Sequence, residues 1–156
     1  MAYDARIIAN WFVTRAQRDG KVLSIMSLLK LIYFAHGWNL EMRKAPLISN
    51  GIQAWQYGPV IPEVYRAFRS QGIDVRQPLA SNAATVMPGD EILLEQIYAI
   101  YGVMSPFQLS DLTHEDGGPW HIATQLRGWY APIPDDLIRA HFELKRAKAN
   151  VAANAN

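Results

Sequence analysis

Apolar residues recur along this chain at helical spacing for most of its length, interrupted by breaks rich in glycine and proline. Ile7, Ile8, Trp11 and Phe12 repeat on one helical face, and the pattern stops at Asp19-Gly20, which predicts a short first helix and a turn. Ser24 is placed to cap a second helix running to about Lys44. Its apolar residues, from Ile25 through Leu31-Ile32-Tyr33-Phe34 to Met42, cover nearly every face, the mark of a central, buried helix. At 1.5 Å per residue such a helix is about 30 Å long, so other elements must wrap it. Lys30, His36 and Asn39 interrupt it, and Lys30 and Asn39 are expected to mark a solvated edge.

Residues 52–57, Ile-Gln-Ala-Trp-Gln-Tyr, alternate loosely and predict a short extended segment. Gly58-Pro59-Val60-Ile61-Pro62 excludes regular helix, because each proline biases its predecessor away from the α region. Pro62 suits the first turn of a third helix, with Val64, Tyr65 and Phe68 inward and Gly72 at its end. Ile73 to Val75 is expected to pair weakly with the earlier extended segment. Pro78 to Gly89 carries turn formers and no charge, and reads as a mobile loop. Asp90 is the expected cap of the next helix, with Ile92, Leu93, Ile97, Ile100 and Tyr101 inward. Ser105-Pro106-Phe107-Gln108 matches a capping box.

Gly117-Gly118 halts the chain after Leu112-Thr113-His114, and Pro119-Trp120 restarts it as a short helix. Pro132 and Pro134 frame a turn before a final helix led by Asp135 and Asp136, with Leu137, Ile138 and Phe142 inside. The reading is of a mainly α fold: one compact multi-helix domain over residues 1–146 around a central buried helix, with room for a small two-stranded sheet. Residues 147–156 are expected to form a flexible C-terminal tail.

Half of the 156 residues are apolar and 19% are charged, a balance that supports a packed core and argues against disorder. The absence of cysteine removes disulfides, thiolate metal sites and a thiol nucleophile, and suits a reducing compartment. The first residues lack the basic and then apolar run of a signal peptide, and no apolar run approaches the ~20 residues of a membrane span. A cytoplasmic protein without membrane partners is expected.

Charge is uneven. Residues 1–70 hold nine Lys and Arg against four Asp and Glu, whereas residues 71–156 hold six against ten. Between Arg76 and Arg127 there is no cation, while Asp90, Glu91, Glu95, Asp111, Glu115 and Asp116 all lie there. Such a stretch repels nucleic acid and could attract a basic protein.

Candidate chemistry is sparse. His36, His114, His121 and His141 lack the spacing of a zinc helix, so no metal or other cofactor is expected. His114 reads instead as an anchor that hydrogen-bonds backbone before Pro119. Neither a Gly-x-Ser-x-Gly elbow nor a phosphate-binding glycine loop is present, and the expectation is of no enzymatic activity. The helix pair around residues 90–113 mimics a helix-turn-helix but lacks the cations that phosphates require, which makes nucleic acid an unfavoured partner. What stands out is aromatic density near turns: Trp38, Trp55, Tyr57, Tyr65, Trp120, Trp129 and Tyr130. Such residues serve equally in cores and at binding hot spots.

Three stretches together resemble the Panacea (SocA-like) antitoxin domain family: Leu28-Leu29-Lys30-Leu31-Ile32-Tyr33-Phe34-Ala35-His36-Gly37-Trp38, then Ala54-Trp55-Gln56-Tyr57-Gly58-Pro59-Val60 with Pro62-Glu63-Val64-Tyr65, then Leu112-Thr113-His114 with Pro119-Trp120. Leu29 departs from the pattern, which carries glutamine there. The resemblance implies a bacterial, often phage-associated antitoxin that neutralises a cognate protein toxin by direct protein–protein contact. Two alternatives stay open: an adaptor that delivers the toxin to a protease, and a DNA-binding autoregulator of its own operon acting through the basic first helix. Partner contact is expected at Trp55, Tyr57, Gly58, Pro59, Val60, Tyr65, Thr113, His114 and Trp120.

Overall fold

The computed structural model describes residues 2–82 and 84–154. Seven α-helices surround a few very short strands among these residues: α1 (Ala5–Arg18), β1 (Leu23–Ser24), α2 (Ile25–Arg43), β2 (Gln53–Trp55), β3 (Gly58–Val60), α3 (Pro62–Phe68), β4 (Asp74–Val75), α4 (Pro88–Tyr101), α5 (Pro106–Thr113), α6 (Pro119–Arg127), β5 (Ala131–Pro132) and α7 (Asp135–Asn154).

The mainly α reading holds, and α2 is its axis. Ser24 accepts from the Ser27 N–H as its N-cap, and Lys44 ends it in the left-handed conformation. Leu28, Leu29, Leu31, Ile32 and Ala35 are fully enclosed because α1, α4, α5, α7 and β3 all pack on this one helix. The closest crossing is with α7. A Cβ on Gly37 would collide with the Phe142 ring, which is itself wedged against Tyr33, Phe34 and Trp38. Glycine in mid-helix costs about 1 kcal/mol against alanine, and here it lets α7 come near enough to cover the centre.

Several expectations need correction. Lys30 and Asn39 are buried at 2% and 3% exposure rather than lying on a solvated edge, because α2 has no uncovered face at those positions. Asp74–Val75 pairs with Leu23–Ser24, not with the 52–57 segment; that segment instead takes β3 on one side and Ala131–Pro132 on the other, in the order β3-β2-β5. Pro132 fits because β5 is an edge strand, where a missing N–H costs no ladder bond. Helix α4 begins at Pro88 with Met87 as N-cap, two residues before Asp90, whose carboxylate binds Arg43 and the Tyr3 hydroxyl. Ile92 and Ile100 point outward, and the inner face of α4 is Leu93, Leu94, Ile97, Tyr98 and Tyr101. The capping box at Ser105 and Gln108 forms as expected.

Backbone from Ala147 to Asn154, expected as a flexible tail, is helical and continuous with α7. The 78–89 loop is pinned at its start by Asn10, which exchanges two hydrogen bonds with the Leu79 backbone, and near its end by Tyr3, which accepts from Met87 N–H. Ala83, within the segment read as mobile, lies outside the described residues.

Candidate functional site

The three sequence stretches meet around the β2–β3 hairpin. Gln56 and Tyr57 form its two-residue tip, with Trp55 opposite Gly58 in the register. Neither tip residue has positive φ; the reversal is completed by Gly58 at φ 126°, a conformation that side-chain-bearing residues rarely adopt. A Cβ at Gly58 would also stand 3.1 Å from Thr113 Oγ1 and 3.2 Å from Lys30 Cε, so glycine is required twice over. The hairpin thereby brings α2 and the end of α5 beneath one turn.

Helix α6 fastens to the same place. Trp120 donates its indole N–H to the Trp55 carbonyl at 2.7 Å, and its ring lies 4.0 Å from that of His114. His114 Nδ1 is 2.6 Å from the Ser110 carbonyl, which can only accept, so Nδ1 carries the proton and Nε2 is left as an acceptor. The backbone-anchoring role read for His114 is borne out. Thr113 likewise spends its hydroxyl proton on Ser110 O at 2.9 Å.

Around this frame the aromatic rings gather into one surface. Trp55 lies edge-on to Tyr65 at 5.1 Å and to Tyr130 at 5.4 Å, and Trp120 neighbours Trp129 at 6.1 Å. Tyr57, Trp129 and Tyr130 are exposed, at 66%, 57% and 63%. Tyr130 also holds φ 67°, fixed there by its N–H to the Ala54 carbonyl; such conformations cost about 1–3 kcal/mol and gather at functional sites. Met26, Trp55, Tyr57, Val60, Tyr65 and Tyr130 enclose a cleft of about 220 Å³, room for an inserted side chain. Hollows of about 380 and 370 Å³ lie elsewhere, beside β1 and beside α1, and involve none of these rings.

Of the nine predicted contact residues, Trp55, Tyr57, Tyr65, His114 and Trp120 have surface to offer. Gly58, Pro59, Val60 and Thr113 are buried and shape the frame. Trp38 belongs elsewhere: its indole donates to the Tyr101 hydroxyl at 2.9 Å and packs on Phe142. The residue that sequence reasoning missed is Lys30. Its amine meets no hydrogen-bond or ion-pair partner among the described residues, and burial lowers its pKa to about 8. Among the described residues only Asn39 Oδ1 and Glu63 Oε2 are fully enclosed polar side-chain atoms lacking a partner, so the Lys30 amine keeps a narrow opening to solvent. The signal was available, since a cation in the middle of an all-apolar helix has no cheap place to go.

Half of the acidic stretch is paired within the fold. Asp90 pairs with Arg43, Glu95 with Arg15, and Glu115 lies 3.7 Å from both His141 and Lys145. Among the described residues Glu91, Asp111 and Asp116 carry no ion pair. The basic first helix is depleted in the same way, with Arg6 on Asp4 and Arg15 on Asp19 and Glu95. Among the described residues no group of three or more His, Asp or Glu is arranged to hold a metal ion, and no helix is long and apolar enough to cross a membrane.

Comparison with known proteins places the chain in a family. The family described as Antitoxin SocA-like, Panacea domain, matches residues 28–121, the span from the buried helix through Trp120. Antitoxin SocA of Caulobacter vibrioides (strain NA1000 / CB15N) is 31% identical over 164 residues, covering 95% of this chain and 87% of that protein. No solved structure matches.

Proposed function

The chain belongs to the SocA-like Panacea-domain antitoxin family, and from that premise we propose that it neutralises a cognate protein toxin by binding it directly through the aromatic face. The observation that carries this reading is the exposed ring cluster of Tyr57, on a hairpin locked by Gly58 and Trp120, with Trp129 and Tyr130 from the segment between α6 and β5. Large aromatic side chains with few torsions lose little entropy on binding, and a turn already fixed from beneath loses less still. An inhibitory complex of ordinary size covers about 1,600 Å² in total, more than the cleft alone, so the rims of α5 and α6 take part.

Neutralisation of this kind requires no catalytic group on the antitoxin. It requires that the toxin's working surface be covered. Internal pairing of Asp90, Glu95 and Glu115 makes shape and apolar contact the main source of affinity, with Asp111 and Asp116 available to a basic rim on the toxin. The pairing of Arg6 and Arg15 weakens the case for operon binding through α1.

Co-expression with the product of the neighbouring gene tests the reading. Tyr57→Ala is expected to lose neutralisation, with a binding loss of about 2 kcal/mol, roughly thirtyfold, as for a hot-spot tyrosine. Undiminished growth protection by Tyr57→Ala together with Tyr130→Ala would reject this face. A toxin that disappears only when this chain is present, rather than accumulating in a complex with it, would point to delivery to a protease.

A further inference from the structure

We propose that Lys30 is the receptor for a carboxylate of the toxin, which enters beside the Gly58 turn and makes the ion pair that the folded chain leaves unmade. This deepens the direct-binding reading and rests on it. Eight other cations, Arg6, Arg15, Arg43, Lys44, Arg76, Arg139, Lys145 and Arg146, each have a carboxylate oxygen within 3.7 Å. Lys30 is buried at 2% exposure and has none. Arg18, Lys21, Arg66, Arg69, Arg127 and Lys148 also lack an ion pair among the described residues, but all six are exposed to water, whereas Lys30 is enclosed where a partner matters most.

The location of the amine links it to the aromatic face. Met26, which lines the cleft, is one helical turn from Lys30 and shares its side of α2. A Cβ on Gly58 would stand 3.5 Å from Lys30 Nζ, which places the amine directly beneath the hairpin and beside Thr113. Among the described residues the ammonium group has no hydrogen-bond acceptor, although the Thr113 hydroxyl borders the same point under Gly58. Burial alone accounts for the lowered pKa, with no charged neighbour contributing. At neutral pH the amine therefore remains mostly protonated and poorly solvated.

A carboxylate answers that need better than the alternatives. A neutral carbonyl cannot balance a buried positive charge. A nucleic-acid phosphate would bring further negative charge against Asp111, Glu115 and Asp116 on α5 and the turn after it, where Asp111 and Asp116 have no internal cation. A single Asp or Glu side chain, or a chain terminus, presented among apolar residues fits both the amine and the aromatic rim.

The test uses the full chain and the purified product of its neighbouring gene. Lys30→Met keeps the length of the side chain and removes the charge. Its melting temperature is expected to equal or exceed that of the wild type, while affinity for the neighbouring product falls at least tenfold. Carbon NMR of the lysine ε-methylene supplies a second readout: the Lys30 titration midpoint is expected near 8 in the free chain and higher in the complex.

Unchanged affinity of Lys30→Met, or a Lys30 midpoint that is the same free and bound, would overturn the inference; should Lys30→Met fold poorly, the titration alone decides. If Tyr57→Ala abolishes binding while Lys30→Met does not, the aromatic face stands and only the carboxylate receptor falls. If neither substitution matters, the direct-binding face falls as well. Binding of a single-stranded RNA 20-mer that disappears in Lys30→Met would assign the amine to phosphate and likewise overturn the proposal.

Discussion

Lys30 and His36 lie six residues apart on the same helix, both hidden from water, and the chain treats them in opposite ways. His36 is fully used. Its Nδ1 accepts from the Leu47 and Ile48 N–H groups at 3.3 and 3.4 Å, which makes Nε2 the protonated nitrogen, and that donates to Asp135 at 2.8 Å. One ring thus ties α2 to the loop that follows it and to the first turn of α7. Lys30, packed beneath Gly58 of the β2–β3 hairpin, is given no partner among the described residues. A buried polar group that is satisfied specifies a fold; one that is left open costs stability and makes sense when something else completes it.

The comparison can be broken most forcefully at the closed end. Phe142→Ala removes the ring that fills the α2–α7 crossing and is expected to cost about 3–5 kcal/mol in urea unfolding, as for other buried phenylalanines. A loss below about 1 kcal/mol would show that α7 is not the cover this contact implies.

His36→Leu is next. It leaves the Leu47 and Ile48 amides without an acceptor and is expected to cost about 1–3 kcal/mol, with toxin affinity at low temperature unaffected. Loss of binding in a folded His36→Leu would erase the distinction between the two ends of α2.

Lys30 itself predicts a pH effect of a definite sign. Its folded pKa, about 8, lies below the unfolded value of roughly 10.4, so the unfolded chain binds more protons between them. The destabilisation is fully present below about pH 8 and is relieved as pH rises toward 10. The slope is at most about 1.4 kcal/mol per pH unit, and Lys30→Met is expected to abolish it. Buried Tyr33, whose hydroxyl burial pushes up, opposes the trend only above about pH 10, where tyrosine in the unfolded chain ionises. Urea midpoints at pH 7.5 and 9.5, compared between the two proteins, measure it.

The smallest stability effect is expected at the open end. Tyr57→Ala, at an exposed hairpin tip, should shift unfolding by no more than about 0.5 kcal/mol while removing neutralisation. A large melting shift would make Tyr57 part of the frame instead.

Much of the scaffold was legible in the chain, and the reasons are local. Ser24, the Ser105–Gln108 box and Pro62 mark helix starts by chemistry that acts within one turn. The all-round apolar pattern of residues 25–42 required a central helix before any partner was known. Gly58-Pro59 announced a break whose geometry the fold confirms. Legibility ended where distant segments choose each other. The pairing of Asp74–Val75 with Leu23–Ser24, the arrival of Ala131–Pro132 beside β2, and the outward turn of Ile92 and Ile100 depend on which helix lies across the way.

By itself, then, the sequence determined the helices, the central one among them, the turn at Gly58 and the family motifs, because capping, periodicity and backbone restriction operate over a few residues. Only the tertiary structure decided that Asp90, Glu95 and Glu115 are paired with cations from α2, α1 and α7, that Trp38 serves the core while Trp55 and Tyr57 reach the surface, and that Lys30 is enclosed without a counter-charge among the described residues. Burial and pairing are properties of neighbours in space, and a residue's neighbours in sequence do not reveal them.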